Sequence, residues 1–174
     1  MDLVKVACNE HNLNINHTHA SCGYDEVETK ILQITRYFFS AFASPASQNW
    51  MFAFAFSKAH WCERNGPAFA DGCLEVVSAM RLARKATFRF SNPFCLKCSL
   101  LVTPHERYLL ACVQSARRGQ KTLLATHAMM LCEGEKPELF ISALNTFIQR
   151  FDLTIDCNSR AGQAFEDFGI AFPR

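Results

Sequence analysis

Thr103-Pro104-His105-Glu106-Arg107-Tyr108-Leu109-Leu110-Ala111-Cys112-Val113-Gln114-Ser115-Ala116-Arg117-Arg118-Gly119 contains a start, a buried face and a stop for one helix. Thr103 stands at the N-cap, Pro104 at the first helical position, and Glu106 three residues after the cap, which is a capping box. Leu109, Cys112, Val113 and Ala116 recur at spacings of three and four, the period of a helix with one apolar face. Gly119 supplies the left-handed residue that ends it. Beyond it, residues 120–133 predict a second helix, with Leu124, Ala128 and Leu131 on one face and Gly134 as its stop. Pro137 opens a third, with Phe140, Leu144, Phe147 and Phe151 inward. Connections this short make the three an antiparallel up-down unit.

Toward the N-terminus the pattern stays helical. Residues 25–43 place Val27, Ile31, Ile34, Phe38 and Phe42 on one face, with Asp25, Glu26 and Glu28 at the positive end of the dipole. Ser44-Pro45 starts a second helix. Within it Phe52, Phe54 and Phe56 alternate with Ala, a strand period, but Ala is poor strand filler and both flanks continue as helix. That stretch is read as an aromatic helix belonging to the core. Asn65-Gly66-Pro67 breaks it, and residues 71–88 predict a basic helix with Leu74, Val77, Met80 and Leu82 inward, ended by Ser91-Asn92-Pro93.

The expected fold is therefore all-α, about six helices in a single domain, the C-terminal unit preceded by a Cys-x-x-Cys knuckle. Residues 1–23 read as a mobile polar arm, and 24–151 as the helical domain. Within it, aromatic helices span 25–64, a basic helix 71–88, and the knuckle and helical unit 89–151. Residues 152–174 read as a tail that docks through Phe165 and Phe168.

The chain has 174 residues, 49% apolar and 20% charged, enough to bury a core and inconsistent with wholesale disorder. Its net charge of +2 is unevenly distributed. Residues 81–121 hold nine basic side chains (Arg81, Arg84, Lys85, Arg89, Lys97, Arg107, Arg117, Arg118 and Lys121) against the single acid Glu106, whereas residues 1–80 and 122–174 are each net −3. A block of this kind attracts an anion, with nucleic acid one candidate, or is covered by the chain's own acidic flanks. Nucleic-acid binding would run through phosphates without sequence preference, because residues 121–131 offer few side chains suited to base edges.

Nine cysteines cannot all pair within one chain. No apolar run approaches the ~20 residues that span a bilayer, and residues 1–10 do not read as a secretory signal. A reducing, cytoplasmic setting is expected. Cys95-Leu96-Lys97-Cys98 is the strongest chemical motif, since two thiolates two residues apart can share a tetrahedral zinc. If the second helix of the unit returns beside the first, Cys132 comes near His105, and Cys95, Cys98, His105 and Cys132 would close a Cys3His site. His127 is a rival ligand, but it stands about 140° around the helix from Cys132. Lys97 between the thiols also allows a redox reading of the same pair.

His17, His19 and Cys22 form a second, looser metal-like group. His105-Glu106 starts like a metalloprotease helix, but Leu109 occupies the place of the second His. No phosphate-cradling glycine loop, nucleophile elbow or carboxylate pair for acid–base work stands out, so the sequence carries no positive signal for an enzyme. The Cys-x-x-Cys followed by helices resembles zinc-binding anti-sigma domains over four residues. Those carry a His four residues before the pair, where this chain has Ser91.

The expected function is a small non-enzymatic regulatory or adaptor protein, with structural zinc and a basic central face. Its partner would be a protein, or a second copy docked through the aromatic helix at 50–61. A thiol redox sensor or enzyme using Cys95 and Cys98, and a nonspecific nucleic-acid binder, are the alternatives.

Overall fold

Asp25 caps the first long helix, α1 (Glu26–Ala43): its side chain accepts from Glu28 N while Glu28 accepts from Asp25 N, a reciprocal capping box. The computed structural model describes Val4–Val6 and residues 22–155, leaving out the side chains at 4–6, 62 and 63. Helices α2 (Trp50–Ala83), α3 (Leu96–Ser99), α4 (Pro104–Arg117), α5 (Lys121–Leu131) and α6 (Glu138–Arg150) follow, with a 3-10 turn at Pro45–Ser47. The all-α expectation holds. The only strands among the described residues are β1 (Val4–Val6) and β2 (Phe88–Phe90), paired in parallel with Val4 opposite Phe88.

The C-terminal unit forms as its sequence dictates. Thr103 and Glu106 complete the capping box of α4, Gly119 and Gly134 take positive φ in the turns on either side of α5, and Leu109, Cys112, Val113, Leu124, Ala128, Leu131, Phe140, Leu144 and Phe147 are all buried. Ser115 bonds His127 across α4 and α5.

Three expectations fail in the preceding segment. The basic helix stops at Ala83, not at 88, because Phe88-Arg89-Phe90 alternates buried, exposed, buried and forms β2, where Phe39 stacks on Phe88 at 4.4 Å. Leu82, expected inward, is 81% exposed; Val77 and Met80 are buried as expected, joined on the buried face by Cys73 and Val76. Val4–Val6, read as part of an unstructured arm, extends the β2 edge. Residues 1–3 and 7–21 of that arm, with His17 and His19, and the tail from 156 onward lie outside the described residues.

Although α2 is helical throughout its 34 residues, it is not straight. Ser57 Oγ donates to Gly66 O at 2.7 Å, yet nine residues of straight helix separate two positions by about 13.5 Å. Trp61 and Phe69 stack at 3.9 Å for the same reason. The run doubles back between Ser57 and Gly66, so the break read at Asn65-Gly66-Pro67 is a reversal, with Pro67 near the start of the returning arm, where a missing N–H costs little.

The seam between the arms is built from small residues. Ala53, Ser57, Gly66 and Ala70 are buried, and a Cβ on Gly66 would stand 2.6 Å from the Lys58 backbone. Of the phenylalanines at 52–56, Phe54 and Phe56 are half-buried against the core, while Phe52 is 50% exposed and Ala53 takes the fully buried position.

Gly66→Ala is expected to lower the unfolding free energy by about 3 kcal/mol, the upper end of overpacking costs, because backbone lies on both sides of the clash. Urea denaturation measures it. A change under half that size would mean the arms separate freely.

Candidate functional site

Arg36 lies in the middle of α1 among Ile34, Thr35, Phe38 and Phe39, and it is fully buried. A guanidinium there requires several acceptors. Glu106, also fully buried, meets it bidentately: Nε to Oε1 at 2.7 Å and Nη2 to Oε2 at 3.1 Å. Two further donors reach Ser99 O and Leu101 O. Glu106 also accepts from Ser91 N and Thr103 N. One ion pair thus fixes α1, the end of β2, the 99–101 chain and the start of α4. It also sets the Phe94–Leu100 segment against α1.

Above this anchor lies an aromatic face. Tyr37 of α1, Phe52 of α2 and Phe94 form a triangle with ring centroids 5.2–5.9 Å apart. Phe56 adds a fourth ring 6.1 Å from Tyr37. Phe52 and Phe94 are each about half exposed, and Met51, Leu96 and Leu100 are exposed as well. Single exposed apolar side chains are ordinary; the touching rings of Tyr37, Phe52, Phe56 and Phe94 form a contiguous aromatic group. Residues 44–62 and 91–103, which build most of this face, contain no Asp or Glu and carry Lys58 and Lys97, both exposed.

The four expected zinc ligands are not brought together. Cys95 caps α3 by accepting from Cys98 N at 3.4 Å, which places both residues on one short helical turn. His105 Nδ1 accepts from Arg89 N at 2.9 Å. Cys132 is buried at the end of α5, and burial pushes its thiol up, as it does those of Cys73 and Cys112. Among the described residues no group of three or more His, Cys, Asp or Glu could hold a metal ion.

Nor does the basic block form one open face. Arg117 is buried against Asp25 at 2.6 Å and Glu28 at 2.9 Å. Arg84 is buried too, bonding Leu131 O and Glu133. Lys85 pairs with Glu135, and Arg81 lies 3.8 Å over the Phe42 ring. Arg107 and Arg118 are half-buried, leaving Arg89, Lys97 and Lys121 exposed. Acids from both flanks pair with Arg84, Lys85 and Arg117, so part of the charge that looked available for a ligand is used internally.

Sequence reasoning missed the Arg36–Glu106 pair, although two signals pointed to it. Arg36 interrupts an apolar stretch of helix, and Glu106 is the lone acid in the basic block. Compared with known proteins, the chain matches no family model, no curated protein and no solved structure. No helix among the described residues is long and apolar enough to cross a membrane.

Glu106→Gln should destabilise the fold by about 3–5 kcal/mol, the cost of leaving a buried charge uncompensated, measurable by urea titration; a loss below 1 kcal/mol would contradict the anchoring role. His105 yields a pH dependence. Burial, then Arg84 and Arg89, hold its pKa below 6.5, so between the two values the unfolded chain binds more protons. Stability should therefore fall as pH drops below about 6.5 and level off once the folded-state ring also protonates. NMR titration of the ring and denaturation between pH 7.5 and 5 would show both. Replacing His105 by Gln should remove that part of the slope.

Proposed function

We propose that this protein is a non-enzymatic adaptor whose working surface is the aromatic face of Tyr37, Phe52, Phe56 and Phe94. The observation that carries the reading is the exposure of Phe52 and Phe94, which remain half open while touching each other and Tyr37. Aromatic side chains supply large contact area at low entropic cost, which suits a recognition surface. The occupant is a protein segment with apolar side chains at helical spacing and acidic residues beside them. Lys58 and Lys97 favour such a partner, and the absence of acids from the two segments disfavours a second copy, whose like charges would oppose it.

The zinc reading draws no support from the arrangement of Cys95, Cys98, His105 and Cys132 among the described residues, whereas the thiol-redox reading keeps the close approach of Cys95 and Cys98. The nucleic-acid reading is weakened by the internal pairing of Arg84, Lys85 and Arg117.

A phage-displayed random peptide library selected on the full chain tests the proposal. Enriched peptides should carry aromatic or aliphatic residues three and four apart with Asp or Glu nearby, and Phe52→Ser with Phe94→Ser should weaken their binding at least tenfold. Peptides that bind this double variant equally well, or no enrichment over an unrelated protein, would overturn the assignment. Concentration-dependent dimers lost in the same variant would replace it with self-association.

A further inference from the structure

A second apolar surface lies on α4–α6 and involves none of the aromatic-face residues. It is a groove of about 540 Å³ whose lining includes Lys121, Leu124, Ala125, Ile141, Ile148 and Thr154. A cavity of about 150 Å³ accommodates one benzene ring, so the groove has room for two or three aromatic side chains. Lys121 is the only charged residue in its lining, and it is exposed.

The described chain ends at this groove. Leu153 O accepts from Arg117 Nε, Ile155 N donates to Arg117 O at 2.7 Å, and Thr154 between them belongs to the lining. Nineteen residues follow, 156–174. In them Ala161, Ala164, Phe165, Phe168 and Phe172 recur at spacings of three, one, three and four, the pattern of an amphipathic helix face. Glu166 and Asp167 are the only charges between 161 and 172.

We infer that the groove between α4, α5 and α6 is the docking site of the chain's own C-terminal segment, which seats Phe165 and Phe168 beside Leu124, Ala125 and Ile141 and sets Glu166 and Asp167 toward Lys121. Ten residues separate Thr154 from Phe165, and a flexible linker of that length has a root-mean-square span of about 18 Å. Such a tether holds the segment at an effective concentration in the millimolar range, which favours the chain's own tail over any free ligand. The acidic pair matches the one cation of the groove. Phe165, Phe168 and Phe172 supply apolar area that would otherwise face water.

Hydrogen–deuterium exchange on the full chain tests this. Amides of 161–172 should exchange at least tenfold more slowly than in a variant carrying Phe165→Ser and Phe168→Ser. Ala125→Glu should remove the same protection. Ala125 is exposed on α5, so this variant should keep its melting temperature and separates loss of docking from loss of fold. Protection should be unchanged between 1 and 100 µM protein. Absent protection, or protection that survives Ala125→Glu, would overturn the site. Protection that rises with concentration alongside a sedimenting dimer would overturn the intramolecular assignment and give the groove to a second copy's tail.

Discussion

The bidentate contact between Arg36 and Glu106 joins residues 70 positions apart, with both side chains withdrawn from water. Neither group could occupy its place without the other, since an isolated ion in an apolar interior costs several kcal/mol even after relaxation. Their mutual requirement fixes the order of packing. The side chain of α1 reaches through to α4, the carboxylate holds the backbone of Ser91 and Thr103, and the intervening segment is drawn in as the guanidinium bonds Ser99 O and Leu101 O. The aromatic face follows from this anchor, because Phe94 reaches Tyr37 and Phe52 only when that segment is held against α1.

The charge layout has the same character. The basic block at 81–121 could have served a ligand or the fold, and the structure uses much of it for the fold. Arg117 closes the start of α1 onto the end of α4 through Asp25 and Glu28, and Arg84 closes the end of α2 onto the end of α5 through Leu131 and Glu133. In each case a cation from the middle of the chain receives acids from one of its flanks. The three-way charge segregation of the sequence is therefore in part a record of tertiary pairing.

What could be read in advance was what local physics decides. The capping box at Thr103 and Glu106, the left-handed glycines 119 and 134 and the spacing of Leu124, Ala128 and Leu131 act within a turn or two, and each appears as expected. Phe88–Phe90 did not, because three residues are too short to show a period, and their strand depends on distant Val4–Val6 and on Phe39. Leu82 was misplaced because the apolar face of the returning arm runs through Cys73, Val76 and Met80. The aromatic face was half visible: phenylalanines at 52 and 56 suggested either core or partner, and the small residues Ala53 and Ser57 settled which side faces in. The expected zinc ligands share motif spacing with real sites, yet spacing says nothing of whether Cys132 points toward Cys95.

The reversal inside α2 has a kinetic consequence. Ser57 and Gly66 meet across nine residues and Trp61 and Phe69 across eight, so the hairpin they form has low contact order and closes early. The Arg36–Glu106 pair is the opposite case, requiring a loop of 70 residues to shut before either charge gains anything. A nascent chain that has emerged only as far as β2 can form its helical hairpin, but Arg36 must stay solvated and α1 cannot seat against it fully. The Arg36–Glu106 contact therefore forms only once α4 is made.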